Sequence, residues 1–234
     1  MSLNIRVILV EPLYEGNVGS VARAMKNFGF TDLAIVNPCK IGGNARAMAS
    51  HAKDVLKNAS TYTSLKDAIE DDVNIVIGTT GITGSKYNEH IRLPAFTPRQ
   101  LKEKMNGVNA KIAILFGRED NGFTNDELKM CDIILSIPTS NDYPVMNLSH
   151  AVGVVLYEMS SIEAGDYPIA ERFDQELLID HIRNVLDNID YPEHKLDKTL
   201  LMIRRICGRA KLTPREVQTL RGILRTIQYK LGLL

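Results

Sequence analysis

The sequence predicts an α/β fold: a parallel, doubly wound sheet flanked by helices, followed by a small helical domain. Two patterns and one break point to it. Five short runs, 7–10, 33–36, 73–78, 112–116 and 133–137, are almost continuously apolar, as strands covered on both faces must be. Amphipathic stretches alternate with these runs, the mark of strand-helix-strand units. At Glu163-Ala164-Gly165-Asp166-Tyr167-Pro168 the alternation stops, and beyond it only helical spacing remains.

Taken in order, helices are expected over 18–28, 45–56, 64–69, 98–105 and 148–162. In the second part, Phe173, Leu177, Leu178, Ile182, Val185 and Leu186 recur on one helical face. Leu200, Leu201, Ile203 and Ile206 continue after a break at Tyr191-Pro192. The last helix has a clear start, with Thr213 as N-cap, Pro214 in the first turn and Glu216 completing a capping box. Its apolar stripe is Val217, Leu220, Leu224, Ile227 and Leu231, which leaves Arg215, Arg221, Arg225 and Lys230 off it. The expected layout is a domain over 1–163, a linker over 164–172 and a basic helical extension over 173–234.

The 234 residues suffice for one sizeable core and a small appendage. No run is long and apolar enough to span a membrane, and the start lacks the layout of a signal peptide. Cys39, Cys131 and Cys207 form no CxxC pair, so neither a disulfide framework nor a metal site is expected, and the cytoplasm is the expected compartment. Net charge is zero but uneven. Residues 166–194 hold eight acids against two bases, whereas 195–234 hold ten bases against two acids. Such a tail is either a polyanion-facing surface or a solvated helical face.

Three polar loops follow strand-like runs, where open parallel sheets gather ligands. In the first, Gly16 and Gly19 permit close backbone approach, and Asn17 and Arg23 enter the next helix. Arg23 is either a phosphate or hydroxyl ligand or an ordinary surface arginine. The second, Gly117-Arg118-Glu119-Asp120-Asn121-Gly122, is neither a Walker loop nor a dinucleotide fingerprint. Its Glu119 is free to bind backbone or a base edge, and Asp120-Asn121-Gly122 is a good turn whatever the function. In the third, residues 144–148 expose backbone at a helix start, with Asn147 as a capping candidate. Ser149-His150 does not make a nucleophile-base pair.

In order and spacing, residues 16–29 (GNVGSVARAMKNFG), 115–128 (LFGREDNGFTNDEL) and 137–152 (IPTSNDYPVMNLSHAV) resemble the three motifs of SPOUT methyltransferases. They are most similar to the TrmJ family, whose helical extension the tail 202–225 also resembles. The resemblance implies a trefoil-knotted α/β domain that forms a homodimer and binds S-adenosyl-L-methionine. It implies methylation of a ribose 2′-hydroxyl in tRNA, at anticodon-loop position 32 with cytidine favoured. Alternatives are a non-catalytic RNA-binding module or a base methyltransferase of the same superfamily.

Carried over by position, Arg23, Asn17, Glu119 and Asn147 match catalytic positions. Thr79, Thr80, Gly81, Gly117, Ile137, Pro144, Val145, Met146 and Leu148 match cofactor-contacting loops. Arg92, Arg118, Arg204, Arg205, Arg209, Lys211 and Arg215 are the expected RNA contacts. Two positions depart from the pattern: Val145 stands where relatives often carry serine, and Ile82 where they commonly carry arginine. Arginine stays charged, so Arg23 is expected to stabilise a forming alkoxide electrostatically rather than take a proton.

Overall fold

The computed structural model describes residues 4–70, 72–82 and 91–233. Along the chain run β1 (Asn4–Val10), α1 (Glu15–Asn27), β2 (Asp32–Val36), α2 (Gly43–Ala49), α3 (Lys53–Lys57), β3 (Ser60–Tyr62), α4 (Leu65–Glu70) and β4 (Ile75–Thr79). Then come β5 (Ala95–Phe96), α5 (Pro98–Met105), β6 (Val108–Asn109), β7 (Lys111–Phe116), α6 (Asn125–Lys129), β8 (Ile133–Leu135) and α7 (Leu148–Met159). The helical part holds β9 (Tyr167–Pro168), α8 (Arg172–Asn188), α9 (Glu193–Ala210) and α10 (Pro214–Lys230).

Seven strands form one parallel sheet in the order β3-β2-β1-β7-β4-β8-β5. The apolar runs are buried because alternate side chains enter two cores. Val7, Leu9, Leu33, Ile35, Ile112 and Ile114 face α1, α5 and α7 on one side. Ile8, Val10, Ala34, Ala113 and Leu115 face α4 and α6 on the other. From β1 the sheet grows one way through β2 and the other way through β7 and β4. The loops that leave β1 and β7 therefore diverge over a crevice.

Three expectations needed correction, and several short elements were not anticipated. The single helix expected over 45–56 is broken, because Ser50 adopts φ +52 and a short 3-10 turn reorients the chain before α3. The strand expected over 133–137 ends at Leu135. The short edge strand β5 and helix α6 carry too few residues to show a period, and α6 reveals itself only through its Thr124–Glu127 capping box. Residues 164–172 are not a free tether: Tyr167 and Pro168 pair with β6, Ala170 is buried, and Arg172 already begins α8. The Thr213 capping box holds as expected.

Candidate functional site

Two adjoining hollows lie over the carboxyl ends of β1, β7, β4 and β8. The first is a cavity of about 280 Å³ lined by residues 79–82, 116–123 and 144–146 together with Leu135, Ile137 and Leu148. Its walls are largely the loops that follow β4 and β7 and precede α7. Arg118 and Gly122 exchange backbone hydrogen bonds at 3.3 and 3.0 Å, which folds the second loop back on itself. Gly122 sits at φ +65, and a Cβ on Gly117 would lie 2.7 Å from the Gly122 carbonyl carbon, so this tight return requires glycine at both positions. Thr79 Oγ1 donates to the Leu115 carbonyl at 2.8 Å, and Thr139 Oγ1 donates to that of Pro144 at 2.9 Å.

The second hollow is a more open cleft of about 1220 Å³. It shares Glu119, Leu148 and the 144–146 turn with the cavity as a common wall. A polar chain joins the three sequence loops across its floor. Glu119 accepts from the Leu13 and Tyr14 backbone N–H at 2.8 and 3.4 Å and from Asn17 Nδ2 at 2.9 Å. Asn147 Nδ2 donates to Asn17 Oδ1 at 3.1 Å, while Asn147 Oδ1 caps α7 by accepting from Ser149 N at 2.9 Å. With three donors in place, the Glu119 carboxylate serves first as a clasp between the loops.

Asn17, Glu119 and Asn147 thus come together, and every expected cofactor-contacting residue, from Thr79 through Leu148, lines the first cavity. Arg23 does not join them. It is exposed on α1 and lines neither hollow.

Arg92 and Arg118 line the first cavity. Arg118 is spoken for by Glu11 and Glu127, each at 2.9 Å. Those two carboxylates hold its guanidinium well above the usual arginine range, and in return Arg118 heads the groups that hold the Glu11 carboxyl low.

The expected RNA contacts Arg204 and Arg205 require correction. Arg204 pairs with Glu176 at 2.6 Å and Asp132 at 3.4 Å, and Arg205 is only 5% exposed. Both are committed to the contact between the helical lobe and the sheet domain. Lys211, in a left-handed conformation at the end of α9, spends its ammonium on the Lys104 carbonyl at 2.8 Å. Arg209 is half-buried and Arg215 exposed.

Sequence reasoning missed Tyr14, Asn44, Met48 and Tyr143, which also line the cleft. Asn44 and Met48 arrive because α2 crosses α1 at Gly19, where any Cβ would overlap the Ala45 carbonyl. The paired glycines were the only local signal of that close approach. Among the described residues no cluster of His, Cys, Asp and Glu could hold a metal, the three cysteines are unbridged, and no helix is long and apolar enough to cross a membrane.

Residues 4–157 match the SpoU rRNA Methylase family, and residues 174–232 match the tRNA methyltransferase TrmJ C-terminal domain. The chain is 42% identical over 228 residues to the tRNA (cytidine-2′-O-)-methyltransferase TrmJ of Methanocaldococcus jannaschii, covering 94% of this chain and 98% of that one. It is 35% identical over 242 residues to the tRNA (cytidine/uridine-2′-O-)-methyltransferase TrmJ of Pectobacterium atrosepticum, covering 96% and 97%. Among solved structures, TrmJ from Z. mobilis superposes with a TM-score of 0.76 at 30% identity, covering 95% of this chain and 98% of that chain.

Proposed function

The chain belongs to the SpoU methylase family, in its TrmJ branch, and from that premise we propose that it methylates a ribose 2′-hydroxyl of tRNA using S-adenosyl-L-methionine. The target we propose is the anticodon-loop nucleotide at position 32, with cytidine favoured, and the compartment is the cytoplasm. The observation that carries the reading is the shared wall: a loop-lined cavity opens beside a wider cleft that the Glu119–Asn17–Asn147 chain borders. A donor in one and an acceptor in the other would meet at Glu119 and the 144–146 turn.

The first cavity suits the cofactor. Gly117 allows the tight return of the second loop that shapes one wall, and Gly81 lies beside the 144–145 turn, where a Cβ would make ordinary contact with Val145 at 3.5 Å. Leu135, Ile137 and Leu148 offer an apolar bed, and the turns of 79–81, 117–122 and 144–146 offer main-chain groups for a base and a carboxylate. S-adenosylmethionine, when bound, supplies a methyl group already activated by its sulfonium. The chain's own task is therefore mainly to orient the acceptor.

Asn17, held by Glu119, and Asn147, held in turn by Asn17, offer that acceptor neutral hydrogen-bonding groups. Arg23 we assign to stabilising the forming 2′-alkoxide, approached over the exposed face of α1. We also propose the family's knot around the first cavity, and a homodimer. Exposed Val154 and Tyr157 on α7, the latter packed edge-on at 6.0 Å against Phe28, support a second copy there. RNA contact by the extension falls to Arg209, Arg215 and the exposed bases of α10.

Mass spectrometry of nucleosides from tRNA incubated with protein and S-adenosylmethionine tests the function. A 2′-O-methyl nucleoside supports it, whereas a base-methyl product or none overturns it. Arg23→Ala should slow single-turnover methylation by about two to four powers of ten while leaving cofactor affinity unchanged. A rate within threefold of wild type would remove Arg23 from the mechanism.

A further inference from the structure

Arg205 stands out because its burial is not matched by its bonding. It lies on α9 of the helical lobe, 5% exposed, and its Nη2 donates to the Leu128 carbonyl at 2.8 Å and to that of Ile91 at 3.4 Å. Its Nε and Nη1 are buried with no acceptor among the described residues, and burial pushes the guanidinium below its ordinary range. One of the two carbonyls it grips belongs to a residue that lines the first cavity, and the other to the chain neighbour of one. Leu128 lines that cavity, and so does Arg92, the neighbour of Ile91.

Two features bring α9 this close. Gly208 lets the helix lie on Asp132, whose backbone oxygen would be 2.7 Å from any Cβ placed there. Asp132, nearly fully buried, accepts from Val76 N at 2.8 Å and from Arg172 Nη1 at 2.9 Å, which fastens α8 to the start of β4. The helical lobe is therefore pinned behind the wall that faces the cavity.

We propose that Arg205 is a positioning residue for the cofactor, acting from the helical extension through the carbonyls of Leu128 and Ile91. This rests on the reading of the first cavity as the methyl donor's site. A purely structural role is a poor account of it, because a buried arginine with two unpaired donors holds a lobe less well than an apolar side chain of similar length. Leu128 O would keep a partner without it, since Cys131 N donates to it at 3.3 Å. What the guanidinium adds is a fixed link between Leu128, in the wall, and Ile91, next to the wall residue Arg92.

The test measures S-adenosylmethionine and S-adenosylhomocysteine binding to the full-length chain by calorimetry, well below the unfolding temperature. Arg205→Met should melt no lower than wild type yet bind both compounds about tenfold more weakly. Arg205→Lys should recover part of the loss, because an ammonium still reaches one carbonyl. A loss under threefold in Arg205→Met overturns the proposal, as does a loss matched by a lower melting temperature. Wild-type protein that binds neither compound would instead overturn the cavity assignment itself. Should the variants not fold, hydrogen exchange on the wild type decides. S-adenosylhomocysteine should slow exchange at the amides of 204–208 as well as 128–131, and unchanged exchange in 204–208 counts against the link.

Discussion

Two polar networks sit at opposite ends of the same sheet. Over the carboxyl ends, Glu119, Asn17 and Asn147 join three loops through part-exposed contacts dominated by neutral amides. At the amino ends of β4 and β8, Asp132, Arg172, Arg204 and Glu176 join the helical lobe to the sheet through buried charge. The difference teaches where adjustability is kept. Amide contacts open to solvent can be exchanged for contacts to a substrate at little cost, since water and ligand compete on similar terms. A buried carboxylate between guanidiniums cannot be exchanged, because separating them strands desolvated charge. A ligand over the carboxyl ends therefore meets contacts that can be exchanged, whereas the amino ends hold contacts that cannot.

Removing the charged hub is the hardest blow to this contrast. Asp132→Ala leaves Val76 N and two guanidiniums facing an emptied site, and should lower stability by about 3 to 5 kcal/mol. Urea unfolding would show it, and a loss below about 1 kcal/mol would mean the network behaves like a surface pair.

Glu119→Gln probes the other end. An amide N–H₂ would then confront the donors from Leu13, Tyr14 and Asn17. With the loops displaced, turnover should fall by about a hundredfold, or roughly 2.7 kcal/mol of barrier, while stability moves by less than about 1 kcal/mol. A mutant that loses stability instead of rate would erase the distinction between the two networks. Between the extremes, Gly208→Ala forces a methyl against the Asp132 backbone and should destabilise by about 1 to 3 kcal/mol. An unchanged urea midpoint would show that α9 lifts away freely.

The two networks were not equally legible in the sequence. The sheet could be read because parallel strands buried on both faces leave apolar runs that need no partner to be recognised. Asn17, Glu119 and Asn147 could be read because each lies in a glycine- or proline-marked loop after such a run, although nothing local says that they touch across separations of 102 and 130 residues. The ionic hub could not be read. Arg204 and Arg205 look like any basic pair on an amphipathic helix. Arg204 is taken from the surface by Glu176, 28 residues earlier, and by Asp132, 72 residues away, and Arg205 by the backbone of Leu128, 77 residues away. Counting tail charges therefore overstated the surface available to a polyanion, because the count cannot distinguish a guanidinium facing water from one facing a carboxylate in the interior. The broken helix at Ser50 was illegible for a similar reason, as a serine at positive φ carries no signature of its own.

The smallest effect concerns pH, and it sharpens the comparison by testing the charge in the buried network directly. Burial pushes the Glu176 carboxyl up, but the two-pronged contact from Arg204 at 2.6 Å, with Arg172 behind it, outweighs burial and holds it below its usual value of 4.5. A carboxyl depressed in the folded state binds its proton more readily once the chain unfolds. Its contribution is therefore complete above the unfolded value and fades as pH falls through the folded one. Stability followed by urea unfolding from pH 6 downward should thus drop on an acid limb. Glu176→Gln should start lower at pH 6 and show a shallower limb, so that the two proteins converge under acid conditions. Parallel curves would mean that Arg204 and Arg172 do not hold Glu176 as an ion, and that the lobe is fastened by packing alone.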